Sequence, residues 1–200
     1  MRRVLLLLAI AACHSPPKQP PPPKQPVEMG EQIFALLPKV AKADEATRSD
    51  AALALGEVVI PGYAPRLRLI VSGDDPVLAE GAAKALVSIR LLRAPGPETL
   101  ADCSRTETNA LVRNQCVRMQ SAAATPVLIP LDLLRQQLES SDTEQRRQAL
   151  RVLLNAPIDE LRDPAVTAAP VHGLDDADMR VRLLANAAFL RRTLQENAAP

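Results

Sequence analysis

The chain has 200 residues, of which 47% are apolar, with 24 basic and 23 acidic side chains. This near-balance of charge is not typical of a polybasic nucleic-acid binder, and three aromatic residues offer few surfaces for base stacking. Seven Gly are too few for a turn-rich β-sandwich, and two His with three Cys leave little scope for metal chemistry. We therefore expect no nucleic-acid partner and no metal cofactor.

Residues 1–12 have the pattern of a secretory signal. Arg2 and Arg3 supply the positive charge, and the apolar stretch 4–10 is too short to cross a hydrocarbon core of about 30 Å. The stretch ends in Ile10-Ala11-Ala12-Cys13, which resembles the bacterial lipobox. The resemblance implies that the signal is cleaved before Cys13, and that lipidated Cys13 becomes the N terminus and holds the protein at a membrane. The alternative is an ordinary signal peptide with an incidental cysteine.

Residues 13–27 form the predicted lipidated cysteine and a Pro-rich linker. The motif Pro-Pro-Lys-Gln-Pro occurs at 16–20 and again at 22–26. Proline fixes φ and lacks an N–H, so we expect an extended, disordered polyproline II segment that reaches about 43 Å. Its expected role is a spacer between bilayer and domain. A proline-rich docking peptide, or contact of Lys18 and Lys24 with anionic lipid or cell wall, is the alternative.

Residues 28–200 are predicted to be one helical repeat domain. This part holds 20 basic and 23 acidic residues, hence a net charge of −3, and is rich in Ala and Leu. One helix pattern recurs five times. Each copy has an Asp or Asn suited to capping and a small residue seven positions after it, and four of the copies have an Arg four positions after the cap. The small residues lie at 51, 82, 116, 149 and 185. The caps are Asp44, Asp75, Asn109, Asp142 and Asp178, and the arginines are Arg48, Arg113, Arg146 and Arg182.

A second amphipathic helix precedes each of these, so each unit of roughly 30–35 residues is predicted to be a helical hairpin. The pattern D-x-x-x-R-x-x-A-x-x-A-L resembles HEAT-like repeats of the PBS-lyase type, most closely at 44–55 and 178–189. The resemblance covers about 30–192 and implies an all-α fold, a right-handed α-solenoid of about five stacked hairpins. Copy two departs from it at Ala79, and copy three at Cys116 and Gln120. Tetratricopeptide repeats are the rival interpretation, but they require a fixed period and large aromatics.

The recurring charges have two interpretations. The favoured one is structural: each Arg bonds cap carboxylates or carbonyls of its own or the next repeat and fixes the stacking. In the other, these charges line one face of the stacked repeats and bind a partner. In HEAT-like proteins the second helices usually line the concave side, so side chains between the Arg and Ala positions are expected to be exposed there. The candidates for partner binding are Lys84, Arg118, Arg147, Arg151 and Asn186.

Cys103 and Cys116 lie on the two helices of the third hairpin, 13 positions apart. Disulfides persist in exported proteins, so we predict a Cys103–Cys116 bridge, with two buried free thiols as the alternative. No His lies near this pair, which argues against a metal site. His172 is expected to be a surface or helix C-terminal residue. The sequence contains no pattern for a catalytic triad or a phosphate-binding loop.

The combined interpretation is a lipid-anchored protein of the bacterial cell envelope, with the outer membrane and its periplasmic side favoured because His14, rather than Asp, follows Cys13. We expect a non-catalytic scaffold or adaptor with an unidentified protein partner, no cofactor and no small-molecule substrate. A stalked structural lipoprotein that contacts the cell wall is one alternative. A bilin lyase, as some HEAT-like proteins are, is another, although that chemistry belongs in the cytosol.

Overall fold

A computed structural model describes residues 25–121, 131–156 and 170–196. Within these ranges the regular structure is helical, with one short 3₁₀ turn and no strand. The chain is thus all-α over the described residues. The helices are α1 Pro26–Val40, α2 Glu45–Gly56, α3 Ala64–Val71, α4 Pro76–Arg93, α5 Pro97–Thr106, α6 Ala110–Ser121, α7 Leu131–Leu138, α8 Thr143–Asn155, α9 Pro170–Gly173 and α10 Met179–Glu196.

The five recurring helices are α2, α4, α6, α8 and α10, and each begins one residue after its Asp or Asn. In every copy the side-chain oxygen of that residue accepts a hydrogen bond from a first-turn amide, which satisfies a donor that has no partner within the helix. The acceptors and donors are Asp44 with Thr47, Asp75 with Val77 and Leu78, Asn109 with Leu111 and Val112, Asp142 with Glu144, and Asp178 with Arg180 and Val181.

The small residue seven places after each cap is fully buried in all five copies: Ala51, Ala82, Cys116, Ala149 and Ala185. The two helices of each unit pack on each other, which gives five hairpins, α1/α2, α3/α4, α5/α6, α7/α8 and α9/α10. The small side chains let neighbouring helices approach closely. A close approach occurs at Gly81 on α4, where an added Cβ would lie 2.1 Å from the carbonyl oxygen of Ala52 on α2.

The order in which the hairpins meet differs from a simple sequential stack. The first hairpin packs against the second through α2 and α4, and the second against the third through α4, α5 and α6. The first hairpin also packs against the fifth, because α10 contacts both α1 and α2, and α10 in turn contacts α8 of the fourth hairpin. The first hairpin therefore has neighbours on both sides. Periodicity could not predict this, because it specifies which face is apolar and not which hairpin covers it.

Contacts to the second hairpin fix the start of α1, where the Pro-rich segment joins the domain. The hydroxyl of Tyr63 donates to the carbonyl of Val27 at 2.8 Å, and its ring centroid lies 5.0 Å from that of Phe34. Arg66 lies over the Phe34 ring at 3.9 Å and forms an ion pair with Glu31 at 2.8 Å. Gly30 makes room for this cluster, since a Cβ there would lie 2.5 Å from the Tyr63 ring.

Candidate functional site

Three of the four arginines that follow the caps by four residues bind the loop that precedes their own helix, whereas Nε of Arg48 is buried without a hydrogen-bond partner among the described residues. In three copies the Nη1 atom donates to the backbone carbonyls six and five residues earlier. These bonds join Arg113 to Glu107 and Thr108, Arg146 to Ser140 and Ser141, and Arg182 to Asp176 and Ala177. Arg146 also reaches the fifth hairpin, with an ion pair to Asp176 at 2.8 Å. This contact pattern is structural, since carbonyls of a tight turn receive charged donors.

A second group of charges joins the second helices to one another. Three cations, Lys84, Arg118 and Arg151, each lie nine residues after their cap. Each pairs with an acid of another hairpin. The pairs are Lys84 with Glu57 at 2.7 Å, Arg118 with Glu80 at 3.1 Å, and Arg151 with Asp50 at 3.1 Å. We call these three pairs, together with the Asp50 cluster described next, the ladder.

The Asp50 cluster brings three hairpins together. Asp50 on α2 is fully buried, and its carboxylate lies 3.1 Å from Nη1 of Arg147 and 3.1 Å from Nη1 of Arg151, both on α8. Nε of Arg180 on α10 lies 3.6 Å away. Glu144 completes the cluster, because its carboxylate accepts from Nε of Arg147 at 2.8 Å and from Nη2 of Arg180 at 3.0 Å.

The charges of this cluster shift one another's protonation. Burial raises the pKa of Asp50, although the arginines favour its carboxylate. The hydrogen bonds from Arg147, and then that from Gln148, lower the pKa of Glu144 to about 2. The same bond to Glu144 raises the pKa of Arg147. Asp50 and Glu144 thus lie among three arginines, Arg147, Arg151 and Arg180.

Two of the five predicted partner-binding residues are not exposed. Asn186 is 1% exposed, and Arg147 is 6% exposed and bound to Asp50 and Glu144. The expectation that these two side chains are exposed is wrong: Asn186 lies on α10, which packs against α1, α2, α8 and α9, and Arg147 on α8 is held against Asp50 of α2. Asn186 instead donates to the carbonyl of Arg182 at 2.7 Å. Lys84, Arg118 and Arg151 keep part of their side chains in solvent.

Sequence reasoning missed Asp50, Glu144 and Arg180 as a group. A signal existed for Asp50: it is an acid directly before the buried Ala51, where a helix turns its face to the core. No local pattern indicates its partners, which lie about a hundred residues or more along the chain. Glu107 was also missed; it lies at the C-cap of α5 within the third hairpin, is buried, and pairs with Arg90 of the second hairpin.

Cys103 and Cys116 are joined by a disulfide between α5 and α6, with their Cα atoms 6.1 Å apart. Both side chains are buried. The bond cross-links the two helices of the third hairpin, whose sequence departs most from the repeat pattern.

A cavity of about 420 Å³ lies between the fourth and fifth hairpins, lined by Leu138, Arg146, Leu150, His172 and Asp176 among others. His172 lies in the last turn of α9 and is exposed. The charged lining of the cavity includes the Arg146–Asp176 ion pair and Glu139, which pairs with Arg135. Among the described residues, no group of three or more His, Cys, Asp or Glu has an arrangement suited to a metal ion.

Cys13, and with it the predicted signal and linker, lies outside the described residues. Among the helices that the structure describes, none has the length and hydropathy needed to cross a bilayer. A comparison with models of known protein families finds no match, and a comparison with curated protein sequences finds none either.

Proposed function

We propose that this protein is a lipid-anchored envelope protein that binds another protein through the face carrying the ladder. The anchor would be Cys13, and residues 14–27 would space the domain from the membrane. The domain would be a right-handed superhelix of HEAT-like hairpins, non-catalytic and without a cofactor. The outer membrane, facing the periplasm, is the proposed site.

The contacts of the described helices support a strongly curved array with the second helices inside. Packed helix axes lie about 8–10 Å apart. Arg147 and Arg151 on α8 nevertheless reach Asp50 on α2, although α10 packs against both of these helices. A flat row of three helices would hold the outer two too far apart for such pairs. The inner face is therefore drawn together around Asp50.

The observation that carries the proposal is the continuity of this face. Ion pairs connect α6 to α4, α4 to the end of α2, and α2 to both α8 and α10. Partly exposed cations of α4, α6, α8 and α10 lie along these pairs, and such a polar face offers the extended contact that repeat arrays use for protein partners. Lys84 and Arg118 lie on it with part of their charge in solvent.

The membrane anchor is tested by changing Cys13 to Ser in the producing cell and fractionating the envelope. The altered protein should leave the membrane fraction, while a Ser15→Ala control should stay in it. Continued sedimentation of the Cys13→Ser protein with vesicles would contradict lipid anchoring.

The binding face is tested by site-specific photocrosslinking in cells, with the probe at Gln148 on α8 or, as a control, at Gln136 on α7. Gln148 bonds Glu144 of the ladder and is exposed, whereas Gln136 is an exposed residue of a first helix. We expect one stoichiometric protein adduct from position 148 that is lost when Lys84 and Arg118 are both changed to Ala. Adducts to peptidoglycan alone, or equal adducts from both positions, would contradict the scaffold and favour a structural stalk.

A further inference from the structure

The Asp50 cluster has more hydrogen-bond donors than its own acids use. Asp50 accepts two bonds from Arg147, while Arg151 and Arg180 approach it as ion pairs. The Nε atom of Arg180 is buried and has no hydrogen-bond partner. This Nε faces Asp50 at 3.6 Å and is closed to solvent, so the capacity for a further anion lies on the exposed parts of Arg151 and Arg180.

Two arginines of the cluster remain partly open to solvent. Arg151 and Arg180 expose 33% and 23% of their side chains, whereas Asp50 is fully buried below them. The fork of a guanidinium matches the geometry of a carboxylate, with two parallel bonds. A carboxylate that approaches from the inner face would therefore meet two partly exposed guanidinium groups above a third, that of Arg147.

Glu144 already holds the position that such a carboxylate would take. It lies in the first turn of α8, is 52% exposed on its side chain, and bridges Arg147 to Arg180. An exposed side chain can turn into solvent at little cost, which Asp50 cannot do. Glu144 is thus the one acid of the cluster that an incoming group can replace.

We propose that Arg151 and Arg180, supported by Arg147, form a receptor for a carboxylate of an acidic segment of the partner protein, and that Glu144 occupies this receptor in the unbound protein. This inference rests on the proposed scaffold function and names the partner's chemistry. A protein segment fits better than a single small anion, because Lys84 and Arg118 add partly exposed cations on the same inner face. Several carboxylates along one chain can contact such a series.

The test uses the purified full chain in uncharged detergent and a fluorescent hexaglutamate peptide, followed by anisotropy at low salt. We expect saturable binding that weakens about tenfold in Arg151→Gln, as for loss of a charged hydrogen bond. Glu144→Gln should tighten binding, and this gain cannot come from unfolding. The control Arg105→Gln changes an exposed arginine of α5 and should leave binding unchanged.

Three results would overturn the receptor: no saturable binding, equal weakening by Arg105→Gln, or weaker binding in Glu144→Gln. Inorganic phosphate in place of the peptide distinguishes a small-anion site, since equal affinity for phosphate would refute the acidic segment. The outcome is separable from the scaffold proposal. If the crosslink at position 148 forms but hexaglutamate does not bind, the scaffold stands and the receptor fails.

Discussion

Replacing Gly81 with Ala tests the contact between the first and second hairpins. The added Cβ would lie 2.1 Å from the Ala52 carbonyl oxygen and 2.7 Å from its carbonyl carbon and Cα. All three are backbone atoms of α2, so no side chain can move aside and the helices have to separate. Overpacking of this kind costs about 3 kcal/mol, while Ala gains about 1 kcal/mol over Gly in a helix interior.

The net expectation is a loss of about 2 kcal/mol in the free energy of unfolding, or roughly 4–8 °C in Tm for a domain of this size. Thermal unfolding followed by circular dichroism measures it. Gly62→Ala is the matched control, because no atom lies within 4 Å of its added Cβ, and its Tm should change by less than about 2 °C. Ala52→Gly should not rescue the variant, since the clash is with backbone. A higher Tm for Gly81→Ala would refute the close approach of α2 and α4.

Three further changes address other parts of the domain. Alkylation of the unreduced protein should modify neither Cys103 nor Cys116, and two alkylated thiols in the mass spectrum would refute the disulfide. Changing both residues to Ser should lower the free energy of unfolding by about 3 kcal/mol, as for a loop of this length. Arg146→Ala should cost about 2 kcal/mol in chemical denaturation because three backbone or charged partners lose their donor, whereas exposed Arg135→Ala should cost under about 0.5 kcal/mol. The pKa of Glu144, about 2 in the folded protein against 4.5 ordinarily, means that its stabilisation is present above pH 4.5 and is lost as the pH falls towards 2. The stability difference between wild type and Glu144→Gln should shrink over that interval, and a constant difference in acid titrations would contradict the ion pairs.

The N termini of the five recurring helices, and the buried small residue seven positions after each cap, could be predicted because their causes are local. An Asp such as Asp44 caps the amides of the next turn, and Ala51 lies at a fixed angle from it around the helix. The neighbour of each hairpin is not a local property. Asn186 was expected to be exposed because α10 was treated as a helix with one covered face, yet it lies among four other helices.

The Asp50 cluster shows the same limit for the candidate site. A charged residue in a helix pattern indicates solvent unless its partners are known, and those of Asp50 come from α8 and α10. The cations nine residues after their caps could be found from the repeat. Their pairing with Glu57, Glu80 and Asp50 depends on which helices meet.

The contact of α10 with α1 and α2 has a consequence for how the chain acquires its structure. A linear repeat protein can grow outward from any nucleus, one neighbour at a time. Here one side of the α1/α2 hairpin stays uncovered until α10, which lies far along the chain, packs against it. Such contacts between distant parts of a sequence slow folding, and partly made chains with bare apolar surface are prone to aggregate. Loss of α10 would therefore expose surface on α1 and α2 as well as on its sequence neighbour α8.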